Sequence, residues 1–254
     1  MRNGLLVRVG IDSTSGGWNA PCSDAGFCYV PMGSSKGLTT EYDPRYKPYE
    51  NAVSNFLANS ADSKVSWPVL LPDIGHFDPD FDYLTYGDRH QRGARIQEVL
   101  GDATNSFIVF YAGLRDVDSG ELSYSIIGFY DIACIKPASS VLPADWPKNE
   151  HTRPDGCKDQ STVIVFAHRG RSGLLRHHIP IGTYRRRAYR VTTKLLKDWG
   201  GLDVKDGFIQ RSVFLPQFRD SDSFLGWFQD QNPQLIAKNN PQAQNPGQEH
   251  HGLP

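Results

Sequence analysis

The chain of 254 residues is 39% hydrophobic and 22% charged, and its 27 basic and 28 acidic residues leave a net charge of -1. This composition excludes a collagen, a coiled coil and a wholly disordered chain, and no apolar run approaches the ~20 residues that span a bilayer. Four cysteines are too few for a disulfide scaffold, and the apolar stretch near the first residue is too short for a signal peptide, so we expect a cytoplasmic protein.

The first half of the chain predicts two short strands and one helix. Residues 5–11 alternate apolar with small or polar residues and predict a strand, which leads into the polar loop 12–17. A second short strand is predicted at 27–30. A helix is predicted at 89–100, with Asp88 as its N-cap.

A hairpin gives the strongest sheet signal. Residues 107–114 and 122–135 are rich in β-branched and aromatic residues, and a polar turn at 116–120 separates them. Both runs are almost continuously apolar, which predicts that both faces of the hairpin are covered. A short buried strand is predicted at 163–167 and a helix at 184–197.

This order of elements predicts the fold class. It is not a regular alternation of strands and helices, so it favours an α+β fold with a mixed, mainly antiparallel sheet, a long central hairpin and a few flanking helices. We expect a single domain over residues 1–228. Residues 229–254 are rich in Gln, Asn and Pro and are expected to form a disordered tail.

The most specific pattern for chemistry is the acidic segment HFDPDFD. In an extended chain, alternate side chains share a face, so His76, Asp78, Asp80 and Asp82 are expected on one side and the two phenylalanines on the other. Such a group can act as a general acid and base, with at least one carboxyl pKa raised, or hold Mg²⁺ or Mn²⁺. A solvated acidic loop with local turns is the alternative.

Two further segments carry candidate binding residues. The sequence TYGD follows the acidic segment and opens the predicted helix, where free N–H groups favour an anion. Near the start of the chain, paired glycines allow a ligand to approach the backbone of the loop after the first strand, although an ordinary turn is the alternative. From TYGD, the candidate binding residues are Tyr86, Gly87 and Asp88. From the loop after the first strand, the candidate binding residues are Gly16, Gly17 and Asn19, and Asp12 is a catalytic candidate.

Basic residues dominate the stretch 161–196, in which no acidic residue occurs. Arginine binds phosphate in a bidentate manner, and the tyrosines among the arginines are suited to stacking on bases. A solvated surface is the alternative interpretation. The residues expected to contact a phosphate-bearing substrate are Arg169, Arg171 and Ser172, with Arg115 of the hairpin, and the same stretch contains Arg176, Tyr184, Arg185, Arg186, Arg187, Tyr189, Arg190 and Lys194.

Several motifs in order resemble a known family. VGIDSTSGGWNAP, FCYVPMG, HFDPDF closely followed by LTYGD, FIVFYAGL and IIGFY are similar to the DNA base hypermodification family, also called the nucleotide-modification-associated domain of the third type. The resemblance covers residues 5–215 approximately. It implies a role in modifying DNA bases or nucleotides in microbes and phages. The positions that coincide with its motifs are Asp12, Gly16, Gly17, Asn19, His76, Asp78, Asp80, Tyr86, Gly87 and Asp88.

Three functions are compatible with these patterns. The favoured one is an enzyme that acts on a nucleotide or nucleic-acid base, with His76, Asp78 and Asp80 as an acid/base or metal site and the arginines on phosphates. The second is a non-catalytic module that binds modified nucleic acid in a modification or phage-defence system. The third is a scaffold whose charged segments are only solvated. The expected partner is a nucleotide or nucleic acid and no membrane, and the cofactor is left open, with Mg²⁺ or Mn²⁺ as candidates.

Overall fold

The computed structural model of the protein describes residues 2–12, 18–24, 26–31, 46–48, 53, 74–101, 105–152, 160–211 and 213–240. Within them the strands are β1 (Gly4–Arg8), β2 (Ala20–Ser23), β3 (Gly26–Phe27), β4 (Tyr46–Pro48), β5 (Ile74–His76), β6 (Thr85–Asp88), β7 (Phe107–Asp116), β8 (Leu122–Pro137), β9 (Val163–Ala167), β10 (Gly173–Arg185), β11 (Ala188–Val191) and β12 (Leu235–Ile236). The helices are α1 (His90–Leu100), α2 (Thr193–Asp198) and α3 (Ser221–Asp230), with 3-10 turns at Ala138–Ser140, Pro143–Lys148, Glu150–Thr152 and Lys205–Gly207. None of the helices in these ranges is long and apolar enough to cross a membrane.

The sheet is organised around the β7–β8 hairpin, which pairs Phe107 with Asp131 at one end and Arg115 with Leu122 at the other. β1 and β2 pair in parallel with the free edge of β7, one after the other. β10 and then β11 extend the sheet antiparallel beyond β8, while β9 pairs with the last third of β8 and β6 pairs with β9. The prediction of an α+β fold with a mixed, mainly antiparallel sheet and a long central hairpin is therefore confirmed.

Two buried layers cover the two faces of the sheet, as the apolar runs of the hairpin predict. Because side chains alternate along a strand, Phe107 and Tyr111 of β7 lie on one face and Ile108 and Phe110 on the other. Helix α3 and Trp199 pack on the first, which we call the α3 face. Helix α1 and the turn after β5 pack on the second, which we call the α1 face.

Two helix predictions differ from the structure. α1 begins at His90 and its N-cap is Arg89, so the prediction that Asp88 caps this helix is wrong: Asp88 is the last residue of β6. Of the helix predicted at 184–197, only the part from Thr193 onward is helical, and the residues before it form the end of β10, a turn and β11. Arginine favours helices, but ladder hydrogen bonds between these two strands outweigh this local preference.

The segment after residue 228 contributes to the fold as far as Asn240. β12 pairs with β10 through Leu235 and Ile236. Asn240 is 7% exposed, its Oδ1 accepts a hydrogen bond from Tyr29 N at 2.7 Å, and its Nδ2 donates to Tyr29 O at 2.8 Å. Residues that pack on the fold thus extend to Asn240, beyond the end of the domain expected at residue 228. Residues 241–254 lie outside the described residues.

Candidate functional site

The acidic segment is not extended. After Phe77 the chain makes a tight turn, which is closed by reciprocal backbone hydrogen bonds between Asp80 and Thr85 at 2.8 and 3.1 Å. Phe81 at the centre of the turn is fully buried against Phe110 and Tyr130. The prediction that all the carboxylates share one face is therefore wrong: Asp80 and Asp82 both accept from Asn239 Nδ2, at 2.9 and 3.2 Å, whereas Asp78 accepts from Gly87 N.

Asp80 organises this turn. Its Oδ1 accepts hydrogen bonds from the backbone N–H groups of Asp82 at 2.9 Å and Tyr83 at 3.1 Å and from Asn239 Nδ2 at 2.9 Å. Burial raises the pKa of Asp80 to about 6, although the hydrogen bonds from Tyr83 and Asn239 favour the charged form and lower it. One raised carboxyl pKa was expected in this segment, and the structure assigns it to a residue that is committed to the turn.

Asp78 points in a different direction and meets three polar groups. Its Oδ1 accepts from Gly87 N at 2.7 Å and from Asn149 Nδ2 at 3.2 Å, and its Oδ2 lies 3.1 Å from Nε2 of His151. The His151 side chain is 19% exposed and that of Asp78 is 10% exposed. Burial disfavours the charged imidazole, but the hydrogen bond and the charge of Asp78 outweigh it, so the pKa of His151 is raised above 6.5.

Gly87 allows this arrangement by its size. A Cβ at this position would lie 2.4 Å from Cδ2 of His151 and 2.6 Å from Oδ1 of Asn149, far inside van der Waals contact. The 3-10 turn Glu150–Thr152 therefore packs directly on the backbone of β6, and Oδ1 of Asn149 accepts from His151 N at 2.9 Å. The close approach fixes the imidazole beside Asp78.

A second polar network joins β6 to helix α1. Nε of Arg92 lies 2.6 Å from Oδ2 of Asp88, and Nη2 of Arg92 donates to the hydroxyl of Tyr86 at 2.8 Å. The Tyr86 hydroxyl also donates to Asp88. Burial raises the pKa of Tyr86 well above 10, so this hydroxyl stays protonated. These contacts fix the side chains of Tyr86 and Asp88, both of β6, against Arg92 of α1.

Asp12 and Asn19 belong to another cluster, at the end of β1. Asp12 forms an ion pair with Arg8 at 2.8 Å, and both side chains are at most 5% exposed. Asn19 Nδ2 donates to Gly113 O at 3.1 Å. Gly16 and Gly17, predicted with them as binding residues, lie outside the described residues, so the structure does not place the whole predicted loop.

The basic candidates are distributed over three places. Arg169 and Arg171 lie in the exposed turn after β9, where Arg171 Nε is 2.7 Å from Oδ2 of Asp131. The Ser172 hydroxyl is buried and bonded to the backbone of Asp131, from which it accepts at 3.0 Å. Arg115 donates to Gly120 O at 2.6 Å in the turn of the central hairpin.

The basic run is offset by an acid from elsewhere in the chain. Asp206 Oδ2 lies 2.5 Å from Arg185, 3.1 Å from Arg186 and 3.7 Å from Arg190. The sequence between residues 161 and 196 contains no acid, but the tertiary fold brings Asp206 against the arginines and offsets part of their charge. The hydrogen bond from Arg185 lowers the pKa of the Asp206 carboxyl.

The predicted site residues therefore fall into separate groups. Asp78, Tyr86, Gly87 and Asp88 come together around β6, and Asp80 lies in the adjoining turn. His76 pairs through its backbone with Tyr46 in the β4–β5 ladder, and its side chain is outside the described part of the chain. In the part of the chain that the structure describes, no three His, Cys, Asp or Glu side chains are close enough together to hold a metal ion.

Sequence reasoning missed three residues of the β6 site: Arg92, Asn149 and His151. Arg92 is four residues after Asp88, a spacing at which opposite charges often pair, so a local signal for it was present. Asn149 and His151 lie in a proline- and lysine-rich connection without periodicity, 71 and 73 residues from Asp78. No local pattern links residues at that separation.

Comparison with known proteins gives one match. The sequence profile of the family described as nucleotide modification associated domain 3 matches residues 3–203, which is most of the chain. The matched range includes both networks around β6 and the cluster at the end of β1. No curated protein and no solved structure matches the chain significantly.

Proposed function

Because the chain belongs to the nucleotide modification associated domain 3 family, we propose that it is an enzyme that modifies a nucleotide or a nucleic-acid base, with His151 as the residue that transfers a proton. The family supports a role in nucleotide modification. The contact between His151 and Asp78 is the observation that carries the chemical assignment. The acid/base group expected at His76, Asp78 and Asp80 is thereby reassigned to His151 and Asp78.

The geometry suits proton transfer in three respects. Asp78 holds one ring nitrogen of His151, and the donors Gly87 N and Asn149 Nδ2 keep the carboxylate oriented. Because Asp78 engages Nε2, Nδ1 of His151 is the nitrogen that we assign to the substrate. An imidazole can both donate and accept a proton, and the neighbouring Asp78 carboxylate raises the pKa of this one above 6.5.

The remaining candidates take supporting roles in this proposal. Tyr86, Asp88 and Arg92 bond to one another and stiffen β6, so that Gly87 keeps the imidazole in place. Arg169 and Arg171 are exposed on the turn after β9 and are proposed phosphate contacts. Phosphate contacts of this kind orient a substrate without selecting the base.

The test compares cells that express the wild-type protein, His151→Gln, Asp78→Asn or His177→Gln. Their DNA, RNA and free nucleotides are hydrolysed to nucleosides and analysed by mass spectrometry. We expect a modified nucleoside with the wild-type protein and with the control His177→Gln, which changes an exposed histidine of β10. Loss of a general acid or base typically lowers rates by about 10²–10⁴-fold, so both site variants should yield at least about 100-fold less product.

Two results would contradict the proposal. An equal yield from His151→Gln would remove this residue from the reaction. A wild-type protein that binds nucleic acid but yields no modified nucleoside would favour the non-catalytic binding module over the enzyme.

A further inference from the structure

The hairpin of β10 and β11 has an unusual turn. Its two turn residues, Arg186 and Arg187, both have left-handed backbone conformations, with φ of 51° and 61°. Asparagine and glycine are the residues that normally occupy such positions, because a bulky side chain is disfavoured there. Two arginines at this point place two cationic side chains at the outermost end of the hairpin.

The arginines of this hairpin divide into an inner and an outer pair. Arg185 and Arg190 are 23% and 16% exposed, and both lie against Asp206. Arg186 is 77% exposed, and its Nη1 lies 3.1 Å from Asp206 Oδ2. Arg187 is exposed, and it forms no ion pair within the described chain. Asp206 offsets only one of the four positive charges, so the hairpin end keeps a net positive charge, and the exposed outer pair presents it to solvent.

Aromatic rings lead from this turn into the sheet. Tyr184 is 63% exposed and its ring lies edge-on to Tyr189 at 5.3 Å. Tyr189 stacks on Tyr124 at 4.3 Å with an interplanar angle of 13°, and the guanidinium of Arg8 lies 4.7 Å from the Tyr124 ring. Tyr184 is thus an exposed ring on a rigid support, two residues before the first of the two exposed arginines.

We propose that this hairpin end, residues 184–187, binds single-stranded nucleic acid. Arg186 and Arg187 contact successive phosphates, and one base stacks on Tyr184. An exposed ring beside cationic groups suits a single strand because its bases are free to stack, whereas those of a duplex are already stacked on one another. This assignment rests on the proposed function and makes a nucleic-acid strand, and not a free nucleotide, the substrate of the protein.

The experiment measures fluorescence anisotropy of a labelled 20-nucleotide oligo(dT) with the full-length protein over a range of NaCl concentrations. We expect binding that weakens as salt rises, since phosphate contacts release counterions. The double variant Arg186→Glu/Arg187→Glu should bind at least about 10-fold more weakly and with a smaller salt slope. The matched control Lys136→Glu/Arg219→Glu makes the same charge change away from the hairpin and should bind like the wild-type protein.

Tyr184 gives an independent readout. Tyr184→Ala should weaken binding by about 5-fold to 100-fold and leave the salt slope unchanged, because stacking involves no counterion, whereas Tyr184→Phe should bind normally. A labelled duplex of the same length should bind more weakly than the single strand. The proposal is overturned if the single strand does not bind, if both charge-reversed double variants lose affinity equally, or if Tyr184→Ala binds like the wild-type protein.

The same assay separates this proposal from the proposed function. His151→Gln should bind the oligonucleotide as the wild-type protein does, since binding requires no proton transfer. Normal binding with no modified nucleoside in the cell experiment refutes the enzyme and leaves the binding surface intact. A modified nucleoside without salt-dependent oligonucleotide binding refutes the surface and leaves the enzyme intact.

Discussion

Single residues determine the geometry of the β6 site. Asp78 engages His151 because Gly87 presents a bare backbone to the imidazole and donates its N–H to the same carboxylate. The sequence identified Asp78 and Gly87 as candidates from their position in the motifs. It did not identify His151, because His151 is 73 residues from Asp78 in sequence and no local pattern indicates a contact at that separation.

Replacing Gly87 by alanine tests this close approach. The new Cβ would lie 2.4 Å from the His151 ring, so either the ring or β6 must shift. Overpacking of this kind costs about 1–3 kcal/mol, and we expect a lower Tm and a loss of activity that exceeds the loss of folded protein. Thermal melts and the nucleoside assay measure the two effects.

Gly226→Ala is the control, since a Cβ there meets no atom within 4 Å on the exposed side of α3. Alanine in a helix is favoured over glycine by about 1 kcal/mol, so this variant should be slightly more stable. An unchanged Tm and activity in Gly87→Ala would contradict the packing described for β6.

The raised pKa of Asp80 predicts that the stability of the fold depends on pH. Burial raises its pKa from 3.8 to about 6, so the folded state binds the proton more tightly than the unfolded chain. The stability that this contributes is fully present below pH 3.8 and is lost as the pH rises through about 6. Asp80→Asn keeps an acceptor oxygen for the turn and removes the buried charge.

We therefore expect Asp80→Asn to gain stability relative to the wild-type protein as the pH rises from about 4 to about 7.5, by at most on the order of 3 kcal/mol. Thermal or urea melts of both proteins across this range measure the difference. A difference that stays constant with pH would show that Asp80 does not titrate in the way its burial implies.

At the scale of elements, strand pairing and contacts between residues distant in sequence determine secondary structure that the local sequence pattern does not predict. The arginine-rich residues 184–191 have the composition of a helix, yet they complete β10 and form β11 because the edge of the sheet offers them hydrogen bonds. The segment after α3 has the composition of a loose tail, yet it supplies β12 and two asparagines. Asn239 accepts from Phe81 N at 2.9 Å and donates to both Asp80 and Asp82.

Removing this segment should loosen the turn that precedes the site. We compare a chain that ends at residue 240 with one that ends at residue 234, which lacks β12 and both asparagines. Several buried hydrogen bonds worth about 1 kcal/mol each are lost, so the shorter chain should melt at least about 4 °C lower. Equal melting temperatures would mean that the contacts of Asn239 and Asn240 do not stabilise the fold.

At the scale of the whole molecule, the sheet separates two regions with different chemistry. On the α1 face, the Tyr86 hydroxyl bonds to Asp88 and Arg92, and α3 with its aromatic rings covers the other face of the sheet. The exposed arginines lie at the far end of β10 and β11, where the sheet reaches solvent. This separation assigns proton transfer and strand binding to different elements, so the two proposals can be tested independently.

The sequence by itself determined the features that depend on residues close together in the chain. Continuous apolar runs rich in β-branched and aromatic residues predicted the β7–β8 hairpin and its two covered faces, local patterns predicted α1, and ordered motifs indicated the family. Only the tertiary structure decided which polar groups meet. In the folded chain, Asp80 and Asp78 point in different directions, Asp78 contacts His151, and Asp206 pairs with the arginines. The physical reason is that propensity and burial act on neighbours in sequence, whereas these contacts depend on strand register and on how loops pack across the sheet.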